Sequence, residues 1–180
     1  MANIIHHAKL GDLCYMKSPQ SIHCWHGTIT GCEQGFDIIL ASSNLDVADV
    51  DFIADIIQNW KYHEEKALEH IRVKLATQPE LFNLSKETGK NASKLKDVPF
   101  DCPQFVFYEK QEWAIVFLEN GLGVGEPFGV SVNFNGKALT GIYDLSSLSA
   151  SVNFATSMTS SVMSVEAANS SPPWTTRWPT

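Results

Sequence analysis

QFVFYEKQEWAIVFLENGLGVGEPFGVSVNFNGKALTGIYDL, residues 104–145, decides the fold. Four runs in it, Phe105 to Glu109, Trp113 to Leu118, Phe128 to Phe134 and Ala138 to Tyr143, alternate apolar and polar residues with turn residues between them. That is the period of half-buried strands. Asn135 and Gly136 join the last two runs and suit the positive φ angles of a type I′ hairpin. Nothing on these strands forms a catalytic constellation, so the segment describes a sheet rather than a site.

Upstream, Asp12 to Lys17, His23 to Thr30 and Phe36 to Ala41 read as three further short strands punctuated by Pro19, Gly31 and Gly35. The period then changes. Val50, Ile53, Ile57, Trp60, Glu64, Ala67, Leu68, Ile71 and Leu75 recur three or four residues apart, which predicts one helix from about Asp49 to Ala76 with Glu64 as the polar intruder in its stripe. Asn44, Asp46 and Asp49 offer N-caps, and Pro79 forbids continuation. A helix of that length would run about 40 Å, with outer surface to spare for a partner. Ser85 to Lys96 is polar, carries Gly89 and Asn91 and shows no apolar period, so it reads as a surface loop. Three strands, a helix and four strands give an α+β fold: an antiparallel sheet of six to seven strands packed on one long amphipathic helix.

At 180 residues one domain is expected. Residues 1–148 form it in this reading. Residues 149–180 are a Ser/Thr-rich tail closed by Pro172, Pro173 and Pro179, expected to be disordered or docked on a neighbour. The formal net charge of −7 and the absence of any basic run argue against nucleic acid as a partner. Asp46, Asp49, Asp51 and Asp55, the densest acidic stretch, are expected at a helix start, where carboxylates meet unpaired N–H groups. No apolar run approaches the roughly 20 residues that span a bilayer, and Met1 to Leu10 lacks signal-peptide character, so a cytoplasmic protein with no membrane contact is expected.

His6, His7, Cys14, His23, Cys24, His26 and Cys32 crowd the first 32 residues. On a strand Cys24 and His26 share a face, and a crossing strand could bring Cys14 beside them, which makes these three the candidate metal ligands. The spacing lacks paired ligands at both ends, and buried thiols with a satisfied strand histidine are the plainer reading. His63 and His70 flank the helix stripe and read as boundary residues. The glycines at 121, 123, 125 and 129 lead into a strand instead of a helix, so they read as a long hairpin connection and not a phosphate loop. No nucleophile elbow occurs, and Cys102, between Asp101 and Pro103, reads as structural. No catalytic residue and no cofactor are assigned.

Trp25-His26-Gly27-Thr28-Ile29, the helix passing through Glu64-Glu65-Lys66-Ala67-Leu68, and Gly125-Glu126-Pro127-Phe128-Gly129-Val130 leading into a strand resemble the pattern of a group of small bacterial domains of unknown function. These carry a W-x-G strand, a long helix and a G-x-x-F-G strand start. The resemblance spans about residues 12 to 148 and implies an α+β fold; some members sit in settings that suggest immunity proteins of polymorphic toxin systems. Two functional readings follow. The first is a non-enzymatic binding protein with a protein partner, of the immunity-inhibitor type, whose negative field would draw in a basic surface. The second is a metal-dependent or small-ligand enzyme built on the N-terminal His/Cys cluster. Self-association is expected as well, because strand edges need cover.

Overall fold

A computed structural model describes residues 3–17 and 22–146. Alternation builds the strands: β1 (Asn3–His7), β2 (Gly11–Lys17), β3 (His23–Ile29) and β4 (Cys32–Leu40) come first, and β5 (Phe100–Phe107), β6 (Glu112–Asn120), β7 (Val130–Asn135) and β8 (Ala138–Asp144) follow the helices. They lie in one eight-stranded sheet in the order β1-β2-β3-β4-β5-β6-β7-β8. The chain is thus α+β, with one strand more than the expected six to seven, and β1 is the strand the alternation did not single out. The sheet is also not wholly antiparallel. Phe36, Asp37 and Ile38 of β4 pair parallel with Phe105, Val106 and Phe107 of β5. A parallel join cannot be made by a hairpin, and the intervening helices are the crossover.

The single helix expected over 49–76 is two, α1 (Val50–Gln58) and α2 (Trp60–Thr77). Asn59 breaks it at φ −109° and ψ 26°. Its side-chain amide donates to the Asp55 carbonyl at 2.9 Å, so the side chain competes for the backbone acceptor of the last turn. Of the three expected caps two act as such: Asn44 accepts from the N–H of Asp46 at a 3₁₀ turn, Leu45–Val47, and Asp49 accepts from the N–H of Phe52 at 3.1 Å at the start of α1, while Asp46 lies inside the turn. Gln111 donates to the second Asp49 oxygen, and together these bonds hold that carboxyl below its usual range. Pro79 ends α2 and opens a short 3₁₀ turn, Pro79–Phe82.

The expected loop over 85–96 contains a helix, α3 (Lys86–Ser93), capped by Ser85, which accepts from the N–H of Thr88. Its buried residues are Gly89 and Ala92, too small to register as an apolar period. Gly89 is there because α3 lies directly on the end of α2. A Cβ at this position would stand 2.4 Å from Pro79 Cβ and 2.5 Å from the Leu75 carbonyl oxygen.

Pro103 stands in a strand that lies inside the sheet, a place where a missing N–H is normally excluded. It is tolerated because the pairing of β5 with β4 begins at Phe105, and Pro103 pairs with Phe117 of β6. The glycines between β6 and β7 form the long connection that the sequence suggests. Gly129 sits at φ +91°, and a Cβ on it would meet the Phe117 carbonyl oxygen at 2.2 Å. At the far hairpin the turn residues are Gly136 and Lys137, one place later than expected, since Asn135 pairs with Ala138 inside the ladder.

One face of the sheet carries the core. Leu13, Trp25, Phe36, Ile38, Phe105, Phe107, Trp113, Ile115, Phe117, Val130, Val132 and Phe134 are buried there with Ile53, Ile56, Ala67, Ile71 and Leu75 of the helices. Trp113 is its centre: its ring stacks on Phe134 at 4.4 Å, on Phe107 at 6.0 Å and on Phe105 at 6.3 Å between centroids. Phe52 of α1 and His63 of α2 meet it edge-on. His63, expected at the boundary of the stripe, is buried in its middle, while Glu64 is half-buried beside it. The break at Asn59 separates the two helices, and the buried positions of α2 run 63, 67, 71 and 75. The tail, 149–180, lies outside the described residues. Among those described, no helix is long and apolar enough to cross a membrane.

Candidate functional site

The second face of the sheet holds the chemistry. In register across it stand Cys14 of β2, His26 of β3, Asp37 of β4, Val106 of β5, Ala114 of β6 and Asn133 of β7. Because side chains alternate, the residues two places away, Cys24 and Gln104 among them, share that face. They converge on Asp37, whose side chain is only 15% exposed. His26 Nδ1 donates to Asp37 Oδ1 at 2.8 Å, and Gln104 Nε2 donates to Asp37 Oδ2. A carboxylate only accepts, so the bond assigns the imidazole proton to Nδ1. The Cys24 thiol donates to the same carboxylate.

Burial first, then the Asp37 charge and the hydrogen bond to it, push the Cys24 thiol up to about 12. The Tyr108 phenol is also pushed up to about 12, by burial and then by Asp37. Both groups therefore stay protonated near neutrality. Burial likewise raises Cys32, whose Sγ donates to the Pro103 carbonyl at 3.3 Å, and Cys102.

A cysteine, a histidine and an aspartate on one face invite a nucleophilic reading, and the order of contacts opposes it. A cysteine–histidine nucleophile needs the imidazole between thiol and carboxylate, so that the base touches the thiol. Here the carboxylate lies between thiol and imidazole. An activated thiol also needs a lowered pKa, which a buried neighbour of a carboxylate cannot have. Alkylation by iodoacetamide at pH 8, followed by mass spectrometry, is expected to find Cys24 carrying about a thousandfold less thiolate than an ordinary thiol, and reacting correspondingly slowly. A Cys24 rate equal to that in the urea-unfolded chain would contradict this arrangement.

The proposed metal ligands Cys14, Cys24 and His26 do share the second face, Cys14 directly opposite His26. Among the described residues, however, no group of three or more His, Cys, Asp and Glu side chains is gathered so as to hold a metal ion. The rest of the N-terminal His/Cys group is dispersed. His6 reaches Asp12 at 2.7 Å on the exposed first hairpin, and His23 points to the core face and meets the Tyr15 hydroxyl at 2.5 Å. Asp37, Gln104 and Tyr108 were not candidates from the sequence, although an aspartate inside the apolar run Phe36-Asp37-Ile38-Ile39-Leu40 is the signal that marks the first of them. The same face also buries Ser131, whose hydroxyl donates to Asn133 Oδ1.

A second feature lies at one end of the sheet. Asp101 and Glu119, both exposed, face each other as cross-strand partners on β5 and β6, a like-charge pairing that destabilises a ladder. Glu64 of α2 stands close enough that its carboxyl is raised, by burial and then by Asp101. Glu119, Asp101 and Glu33 in turn help raise the Cys102 thiol. Glu64 thus feels Asp101, and Cys102 feels Glu119, Asp101 and Glu33, with Lys61 the cation that offsets Glu64.

Compared with known proteins, the chain matches no family model, no curated protein and no solved structure.

Proposed function

We propose that this chain is a non-enzymatic binding protein that meets a basic surface on a protein partner, in the manner of the immunity-type inhibitors to which its strand and helix pattern is similar. The observation that supports this most is the pairing of Asp101 with Glu119 across the β5–β6 ladder, with the Glu64 carboxyl near enough to be raised by Asp101. A sequence selected for stability alone would not place two carboxylates opposite each other in a ladder, and local rules are broken most often where a function needs them broken. A cationic partner would relieve that repulsion, and the net charge of −7 would speed its approach. The satisfied Asp37 cluster, with its protonated thiol, favours binding over catalysis. Self-association belongs to the same reading, since Ile4 and Ile5 stand exposed on the edge strand β1.

The test is capture from the native cell extract on the immobilised full-length chain. A basic protein should be retained at about 50 mM salt and released at about 500 mM, as screening shortens the reach of the charges. The double variant Asp101→Asn, Glu119→Gln should lose that protein while unfolding no more easily than the parent. If the parent chain retains no saturable protein, or if the variant retains the same one equally well, the reading is wrong.

A further inference from the structure

His63 is an ionisable ring set in the middle of the apolar seam between helices and sheet. It is 8% exposed, and its ring stands edge-on to the central Trp113 at 5.3 Å and to Tyr62 at 5.2 Å. The groups that face it are few. Asp55 on α1 favours the imidazolium, Lys137 in the β7–β8 turn disfavours it, β6 contributes the indole of Trp113, and Tyr62 is its neighbour on α2. Burial outweighs the pull of Asp55, so the ring is held below the ordinary imidazole range, in its neutral form. A phenylalanine or leucine would fill the same place with no dependence on pH.

We infer that His63 makes the seating of α2 on the sheet proton-operated: acid favours a state in which the first half of α2 lifts from Trp113 and the protonated ring reaches water. The docked state binds the neutral ring and the lifted or unfolded state accepts the proton, so lowering the pH draws the population toward the latter. The stabilisation is complete above the unperturbed imidazole value of 6.5, falls as the pH drops from there toward the lower folded-state value, and is then constant. This device is independent of the partner proposed above.

Urea unfolding of the full chain from pH 8 to pH 5 tests it against His63→Phe. Below pH 6.5 the unfolding equilibrium constant of the parent should rise by up to about tenfold per pH unit more steeply than that of the variant. Equal slopes would place the acid sensitivity in the other histidines and overturn the inference. Should His63→Phe fail to fold, His63→Gln serves the same comparison. The NMR titration of the His63 ring in the parent decides independently: a midpoint below 6.5 supports the device and one at or above it overturns it. Amide exchange separates local release from general melting. Residues 60–77 should lose protection at pH 5 before β6 and β7 do, and uniform loss would reject the release of α2.

Discussion

Trp113→Ala is expected to destabilise the domain by about 3–5 kcal/mol, the largest single-site loss in the molecule. The indole is 1% exposed and is touched from both layers, with three stacked phenylalanines on the sheet side and Phe52 and His63 on the helix side. Its removal leaves a cavity that the three phenylalanines cannot close, because they extend from strands held by ladders on both sides. A single domain has about 5–15 kcal/mol in total, so the variant should unfold at far lower urea and be partly unfolded near body temperature. Trp113→Phe keeps a stacked ring and loses the bond from Nε1 to the Gly136 carbonyl, 2.8 Å long, together with the larger part of the indole. It should cost less than half as much. A Trp113→Ala loss below about 1 kcal/mol by urea titration would mean that the aromatic cluster is not the centre of the core.

Asp37→Ala comes second, with an expected loss of about 1–3 kcal/mol, and it acts by a different route. The carboxylate accepts from His26, Gln104 and Cys24, and deleting it leaves three donors without their acceptor on a half-buried face. Asp37→Asn keeps the shape and one acceptor oxygen, and should cost less. The same substitution has a chemical readout. Two of the causes that raise the Cys24 thiol, the charge of Asp37 and its hydrogen bond, disappear while burial, the largest, remains. Alkylation of Cys24 in the still-folded variant should therefore accelerate without reaching the rate of an exposed thiol. Unchanged stability combined with unchanged alkylation would show that Asp37 does not organise this face.

Whatever is set within a few residues is legible in the local pattern of the chain. Strands form at the alternating runs through Trp25, Phe105, Trp113, Val132 and Ile142, since period two is the geometry of a strand and the face each residue shows is set by its immediate neighbours. The helical period, the caps at Asn44 and Asp49 and the stop at Pro79 are of the same kind. The rest follows from contacts between distant parts of the chain. Asn59 breaks the helix although nothing in the apolar period announces it; α3 exists because Gly89 and Ala92 fit against α2, a match of shape instead of hydrophobicity. The parallel join of β4 to β5 depends on where the helix layer returns the chain. The Asp37 cluster ties Gln104 to a residue 67 positions earlier, and Cys32 meets the Pro103 carbonyl across 71 positions. Local patterns report which face a residue shows to an average interior, whereas hydrogen-bond partners, the burial of His63 and the meeting of Asp101 with Glu119 depend on which distant strand arrives beside it. Register in the sheet supplies that information.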